Sequence, residues 1–190
     1  IKPRGICGSG IVDAIAQMLR ANLILKNGTF NPTIDISRLR KIGKKQEFVI
    51  AWADETTMGK DITISIDDIR AVQLAKGALY AGAKILFKKW GISKPDKVVL
   101  AGAFGSYIDK IEAMRIGLFP DMDLGDVYSV GNAAGEGACL ALCNMDKRIE
   151  AERIARQVKY IELTLEPEFE KEFMQAMYFP HMTDEFRLLP

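Results

Sequence analysis

Ile11, Ile15, Met18 and Leu19 recur at the spacing of one helix face, so the segment opened by Gly8-Ser9-Gly10 and ended by Asn27-Gly28 reads as an amphipathic helix. Ser9 is its expected N-cap, and the free N–H groups of the first turn are alternatively a seat for an anion. Residues 29–45 show no period and contain Pro32, so they read as irregular. Two short apolar runs follow, at 48–52 and 62–64. With 54–59 as the connection they predict a hairpin.

The strongest helical pattern spans about six turns, through Ile69, Val72, Ala75, Leu79, Ile85 and Leu86 to Trp90, with a stop at Gly91. Ser65 or Asp67 can cap it, and Asp67 and Asp68 suit the positive end of its dipole. Gly77 and Gly82 lie inside it, each costing roughly 1 kcal/mol against alanine. Either a close ligand or backbone, or tight helix–helix contact, accounts for them. Residues 97–101 form an apolar run without alternation, the pattern of a strand buried on both faces. The turn Gly102-Ala103-Phe104-Gly105-Ser106 ends it, and a short helix is expected over 108–117. A second strand, 127–130, turns at Gly131-Asn132 into a small-residue helix over 133–143. A helix over 147–157, a strand over 158–163 and a helix over 167–177 complete the reading. Strand–turn–helix, twice, behind a long helix makes this an α/β chain with ligands expected beyond the carboxyl ends of its strands.

At roughly 150 residues per domain, 190 residues make one large or two small lobes. Twenty-six basic against 25 acidic residues leave +1, so no net field draws the chain to nucleic acid or anionic lipid. No apolar run approaches the roughly 20 residues of a membrane helix. Arg38, Arg40, Lys41, Lys44 and Lys45 form a basic patch that either meets a partner or is simply a solvated face. Three free thiols, Cys7, Cys139 and Cys143, suit a reducing cytoplasm. Cys139 and Cys143 share a helix face, as a metal-binding pair or as small core residues. Two thiolates alone close no metal site, so none is expected. The one histidine, His181, has no nucleophile or acid set around it in sequence, and no catalytic residue is assigned. What remains is two glycine-rich turns behind adjacent strands, which with the long helix describe one nucleotide-sized crevice.

Leu100-Ala101-Gly102-Ala103-Phe104-Gly105 resembles the adenosine motif of the actin, Hsp70 and sugar-kinase superfamily, and residues 130–138 resemble its second connecting motif. Gly5-Ile6-Cys7-Gly8-Ser9-Gly10, Asp68-Ile69-Arg70 with Gln73-Leu74-Ala75-Lys76-Gly77-Ala78, Gly105-Ser106-Tyr107-Ile108-Asp109, and Ile116-Gly117-Leu118-Phe119-Pro120 narrow the match. With Tyr160-Ile161-Glu162-Leu163 and the stretch from Phe169 to Pro180, they resemble the C-terminal domain of the ATP-dependent reductive activators of corrinoid proteins.

That resemblance implies a ribonuclease-H-like lobe, residues 1–190 being the adenosine-side lobe of a larger ATPase with a small inserted region at about 29–64. It implies ATP with Mg, and an iron–sulfur cluster in the rest of the parent protein. It implies a corrinoid protein or corrinoid-dependent methyltransferase as partner, with Co(II) corrinoid returned to Co(I). Carried over residue by residue, Gly102, Ala103 and Phe104 would meet adenine or ribose. Gln73, Lys76, Gly77 and Tyr80 would flank the base, and Asn132 would lie near the ribose. The chain departs from the full pattern: it has no aspartate-bearing phosphate loops, no cysteine cluster, and no ferredoxin-type run at Phe186-Arg187-Leu188-Leu189-Pro190. A small-molecule kinase lobe and a nucleotide-free interaction domain are the competing readings. Self-association through unpaired apolar edges is expected, and hydrolysis by these 190 residues alone is not.

Overall fold

Seven helices and five strands are built on the patterns above, in a computed structural model that describes residues 1–43 and 45–189 and leaves the side chain of Ala103 undescribed. Lys44, from the basic patch, and Pro190 lie outside the described residues. Helix α1, Gly8–Arg20, is capped not by Ser9 but by Cys7, whose Sγ accepts the N–H of Gly10 at 3.3 Å. Its inner face, Val12, Ile15, Ala16 and Met18, is buried in the main core with Ile64, Ile69, Met114, Ile116 and Phe179. Fully burying each large aliphatic side chain contributes about 1.5–3 kcal/mol.

The hairpin is present and larger than its apolar runs predict. Strands β1 (Leu39–Ile42), β2 (Lys45–Ala51) and β3 (Ile62–Ser65) form an antiparallel sheet in that order. Strand β1 corrects the irregular assignment of 29–45. Its sequence is basic, and its stability comes from across the ladder. Arg40 pairs with Glu47 and with Asp61, each at 2.7 Å, while Arg38 donates to the carbonyls of Val49 and Ile50. Both guanidinium groups stand 5.8 Å from the Trp52 ring centre. Lys45 pairs with Asp67. The described basic patch is therefore largely a paired surface.

Helix α2, Ile66–Trp90, starts at Ser65 and stops at Gly91 as expected, with Ser65 and Asp68 forming a reciprocal capping box and Gly91 left-handed at φ 75°. The remaining helices are α3 (Gly102–Tyr107), α4 (Lys110–Arg115), α5 (Ala133–Cys143), α6 (Met145–Gln157) and α7 (Phe169–Ala176). Strands β4 (Val98–Leu100) and β5 (Val127–Ser129) pair in parallel, as the strand–turn–helix order implies.

Four further expectations are corrected. Residues 102–106 are not an open turn, because α3 begins at Gly102 itself. Strand β4 is not buried on both faces: Val99 is 55% exposed, in a sheet of two strands, and it borders an open cavity instead of a packed layer. Residues 158–163 form no strand, having no ladder partner, and run into a single 3₁₀ turn at Leu163–Leu165. Cys139 and Cys143 are exposed rather than core, because α5 and α6 pack mainly on each other. Of the two readings of Gly77 and Gly82, the structure shows close packing. A Cβ at Gly77 would lie 3.4 Å from Phe173 and Met177, and one at Gly82 would lie 3.1 Å from Leu163. No helix among the described residues is long and apolar enough to cross a membrane.

Candidate functional site

The parallel register sets the ends of β4 and β5 side by side, so their two exit turns meet. Val130 N–H donates to Leu100 O at 3.1 Å, and Gly102 N–H donates to Gly131 O at 2.6 Å. Gly102 has φ 94° and Gly131 φ 65°, both in the left-handed region that a side chain resists. The Ser129 hydroxyl bonds to Gly105 O and that of Ser106 to Gly102 O. Asn132 then caps α5, its Oδ1 accepting Gly135 N–H at 3.1 Å, and its side chain is exposed.

Phe104 projects from α3 and is 48% exposed. A Cβ at Gly8 would lie 3.6 Å from its ring, so this aromatic reaches the start of α1. There the Cys7 thiol is drawn below its ordinary range by its bonds to Ser9 and the Gly10 amide. The starts of α1, α3 and α5 thus share one corner. Beside it lies an apolar cavity of about 470 Å³, lined by Leu79, Ala83, Phe87, Val99, Leu100 and Phe104 among others. The size lies within the range of small-molecule sites. Lys97 is its one charged lining residue, and its ammonium stands 5.6 Å from the centre of the Tyr128 ring.

The structure brings Gly102, Phe104 and Asn132 to this corner together with the backbone of Ala103, whose side chain lies outside the description. It places Gln73, Lys76, Gly77 and Tyr80 elsewhere, on the face of α2 covered by α7 and the C-terminal segment. Gln73 donates to Met177 O at 2.7 Å and to Asn27 O at 3.1 Å. Lys76, completely buried, donates to Tyr178 O and to Pro180 O, and Tyr80 donates to Asp184 at 2.9 Å. The polar groups of these residues are thus taken up by the strap formed by residues 166–189 and, for Gln73, also by Asn27 and Arg70. The α2 residues that do face the corner's cavity are Leu79, Ala83 and Phe87, of which the sequence reading named only Leu79, as part of the helix's apolar pattern. Their four-residue spacing was visible; that core would not cover them was not.

No group of three His, Cys, Asp or Glu side chains among the described residues is placed to hold an ion. The bare, positive-φ backbone and the half-exposed aromatic fit a base and sugar, and they offer nothing to a terminal phosphate, magnesium or a cluster.

A family model described as the C-terminal domain of RACo, the ASKHA domain, matches residues 1–189. The chain is 41% identical to the corrinoid activation enzyme RamQ of Eubacterium limosum, over 93% of this chain and 31% of that protein. Among solved structures it superposes on a reductive activator for corrinoid, iron–sulfur protein with a TM-score of 0.89 and 37% identity, covering 100% of this chain and 30% of the other. It therefore spans about a third of the length of each. The actin-like lobe implied by the resemblance is the fold observed, and the chain belongs to the family of RACo C-terminal ASKHA domains.

Proposed function

We propose that this chain is the adenosine-side lobe of an ATP-dependent reductive activator that returns Co(II) corrinoid to Co(I) for methyl transfer. One observation carries the reading: the strand exits at 102 and 131 are joined by a direct hydrogen bond beside an apolar cavity. In this reading the backbone at 102–104 lies against the purine and sugar, the Phe104 ring covers one side, and Asn132 offers its amide to the ribose. The chain binds and orients the nucleoside end and excludes water from it, and none of its side chains transfers a proton. ATP supplies the free energy of lobe closure when bound; the groups that hold its magnesium and terminal phosphate, and the electron-carrying cluster, belong to the rest of the parent protein. Corrinoid activation by relatives that share this domain supports a corrinoid protein as the partner.

The test is ATP titration of the full-length parent, with and without a corrinoid protein. ATP binding weakened about tenfold by Phe104→Ala, a loss of about 1.4 kcal/mol and within the range of base–aromatic stacking, is expected. Turnover stimulated by the corrinoid partner is expected as well. Turnover stimulated instead by a small hydroxylated substrate would make the parent a kinase. Absence of ATP binding would leave an interaction domain.

A further inference from the structure

Besides the bonds from Gln73 and Lys76, the C-terminal segment meets α2 through a titratable turn around His181 that the nucleotide reading does not use. The His181 side chain is fully buried, its ring centre 4.9 Å from that of Tyr80. Its Nδ1 accepts the backbone N–H of Asp184 at 2.9 Å and that of Thr183 at 3.2 Å. A nitrogen accepting two N–H groups carries no proton, so the ring is neutral with its hydrogen on Nε2. That Nε2 is buried with no hydrogen-bond partner among the described residues.

A second proton can therefore enter only at Nδ1, where it meets two donors. A hydroxyl, Thr183 Oγ1, and a carboxylate oxygen, Asp184 Oδ1, stand 3.5 and 3.6 Å away; only the carboxylate carries charge to match an imidazolium, and it is already committed. Its Oδ2 accepts from Tyr80, and Lys84 donates to both of its oxygens, at 3.1 and 2.9 Å. Lys84 also reaches Glu172 of α7 at 2.8 Å. We propose that the 181–184 turn is an acid-released latch, in which protonation of His181 draws Asp184 off Tyr80 and Lys84 and releases this turn of the C-terminal strap from α2.

The charged groups facing the ring are known from every side. Lys76 and Lys84 of α2 oppose an imidazolium; Glu172 of α7 and Asp184 of the turn favour it. Burial outweighs them and holds the ring below its ordinary value of 6.5. The closed latch is thus fully stabilised above about pH 6.5 and loses that stabilisation as the pH falls toward the lowered value. One proton is taken from solvent, and only hydrogen bonds are exchanged.

Hydrogen exchange of the full chain at pH 7.5 and 5.5, corrected for intrinsic rates, tests this. Protection over 177–184 should fall by up to about tenfold per pH unit in the wild type. It should persist at pH 5.5 in His181→Asn, whose side-chain oxygen accepts the same N–H groups without titrating. The chain has a single histidine, so its ring nitrogen resonances report tautomer and midpoint directly. If the variant does not fold, a loss of protection in the wild type that starts below about pH 6.5 and levels off at that midpoint decides in favour. Protection that is unchanged at pH 5.5, falls equally in both proteins, or moves without the ring's titration would overturn the latch, as would the opposite tautomer. None of these outcomes depends on whether the chain binds nucleotide.

Discussion

Lys76 carries its ammonium into the interior with no carboxylate bonded to it among the described residues. Two carbonyls and the face of Phe179, 5.3 Å away, hold the charge, while burial draws the group down to about 7. Between that value and 10.5 the unfolded chain binds the proton more tightly, so stability rises with pH across the window. Thermal unfolding should therefore move upward from pH 7 to pH 9, by up to about 1.4 kcal/mol per pH unit, and Lys76→Met should flatten the slope. Gly102 makes a second demand at this scale. At φ 94° its replacement by alanine should cost about 1–2 kcal/mol in urea unfolding. The glycines at 102 and 131 were legible in the sequence as turns of bare backbone; that they are left-handed only the structure shows. The burial of Gln73, Lys76 and Tyr80 was not legible. Their partners are carbonyls and a carboxylate about a hundred residues away, and no local pattern announces a carbonyl.

Helix α2 was readable end to end because its punctuation is local: Ser65 and Asp68 at one end, Gly91 at the other. Ser65→Ala should destabilise the chain by about 1 kcal/mol. Strand β1 was missed for the opposite reason. Four residues rich in basic side chains form a strand only because Glu47 faces Arg40 across the ladder. The 158–163 segment has strand-like composition but no neighbour to pair with, so composition misled there. Gly77 tests the contact between α2 and α7. Leucine at that position would strike Met177 and Phe173, and a loss of 1–3 kcal/mol, about the cost of overpacking, is expected in denaturant unfolding.

Across the whole molecule, covered and uncovered surfaces are sharply divided. One core joins α1, β3, α4 and the strap, whereas Val99, Leu140, Leu142 and Ile154 are half or more exposed. We propose that this uncovered surface drives self-association of the isolated chain. Light scattering should show assembly that Leu142→Glu with Ile154→Glu reverses, with little change in melting temperature. The same isolated chain should turn over little ATP, since no described side chains gather a metal; robust hydrolysis would contradict the assignment of this lobe to the nucleoside end. At this scale the sequence disclosed the class of fold and the meeting of two strand exits, but not which faces stay open, because that depends on what packs against them. One further consequence follows from the 25 residues of α2, a rod about 37 Å long. It is pinned to the three-stranded sheet at Ser65 and gripped by the strap along its middle, so the strap's hold sets how far the Trp90 end is able to swing. A tilt of only about 5° at the pinned end sweeps Trp90 through roughly 3 Å, enough to turn a small adjustment at one end into a full atomic step at the other.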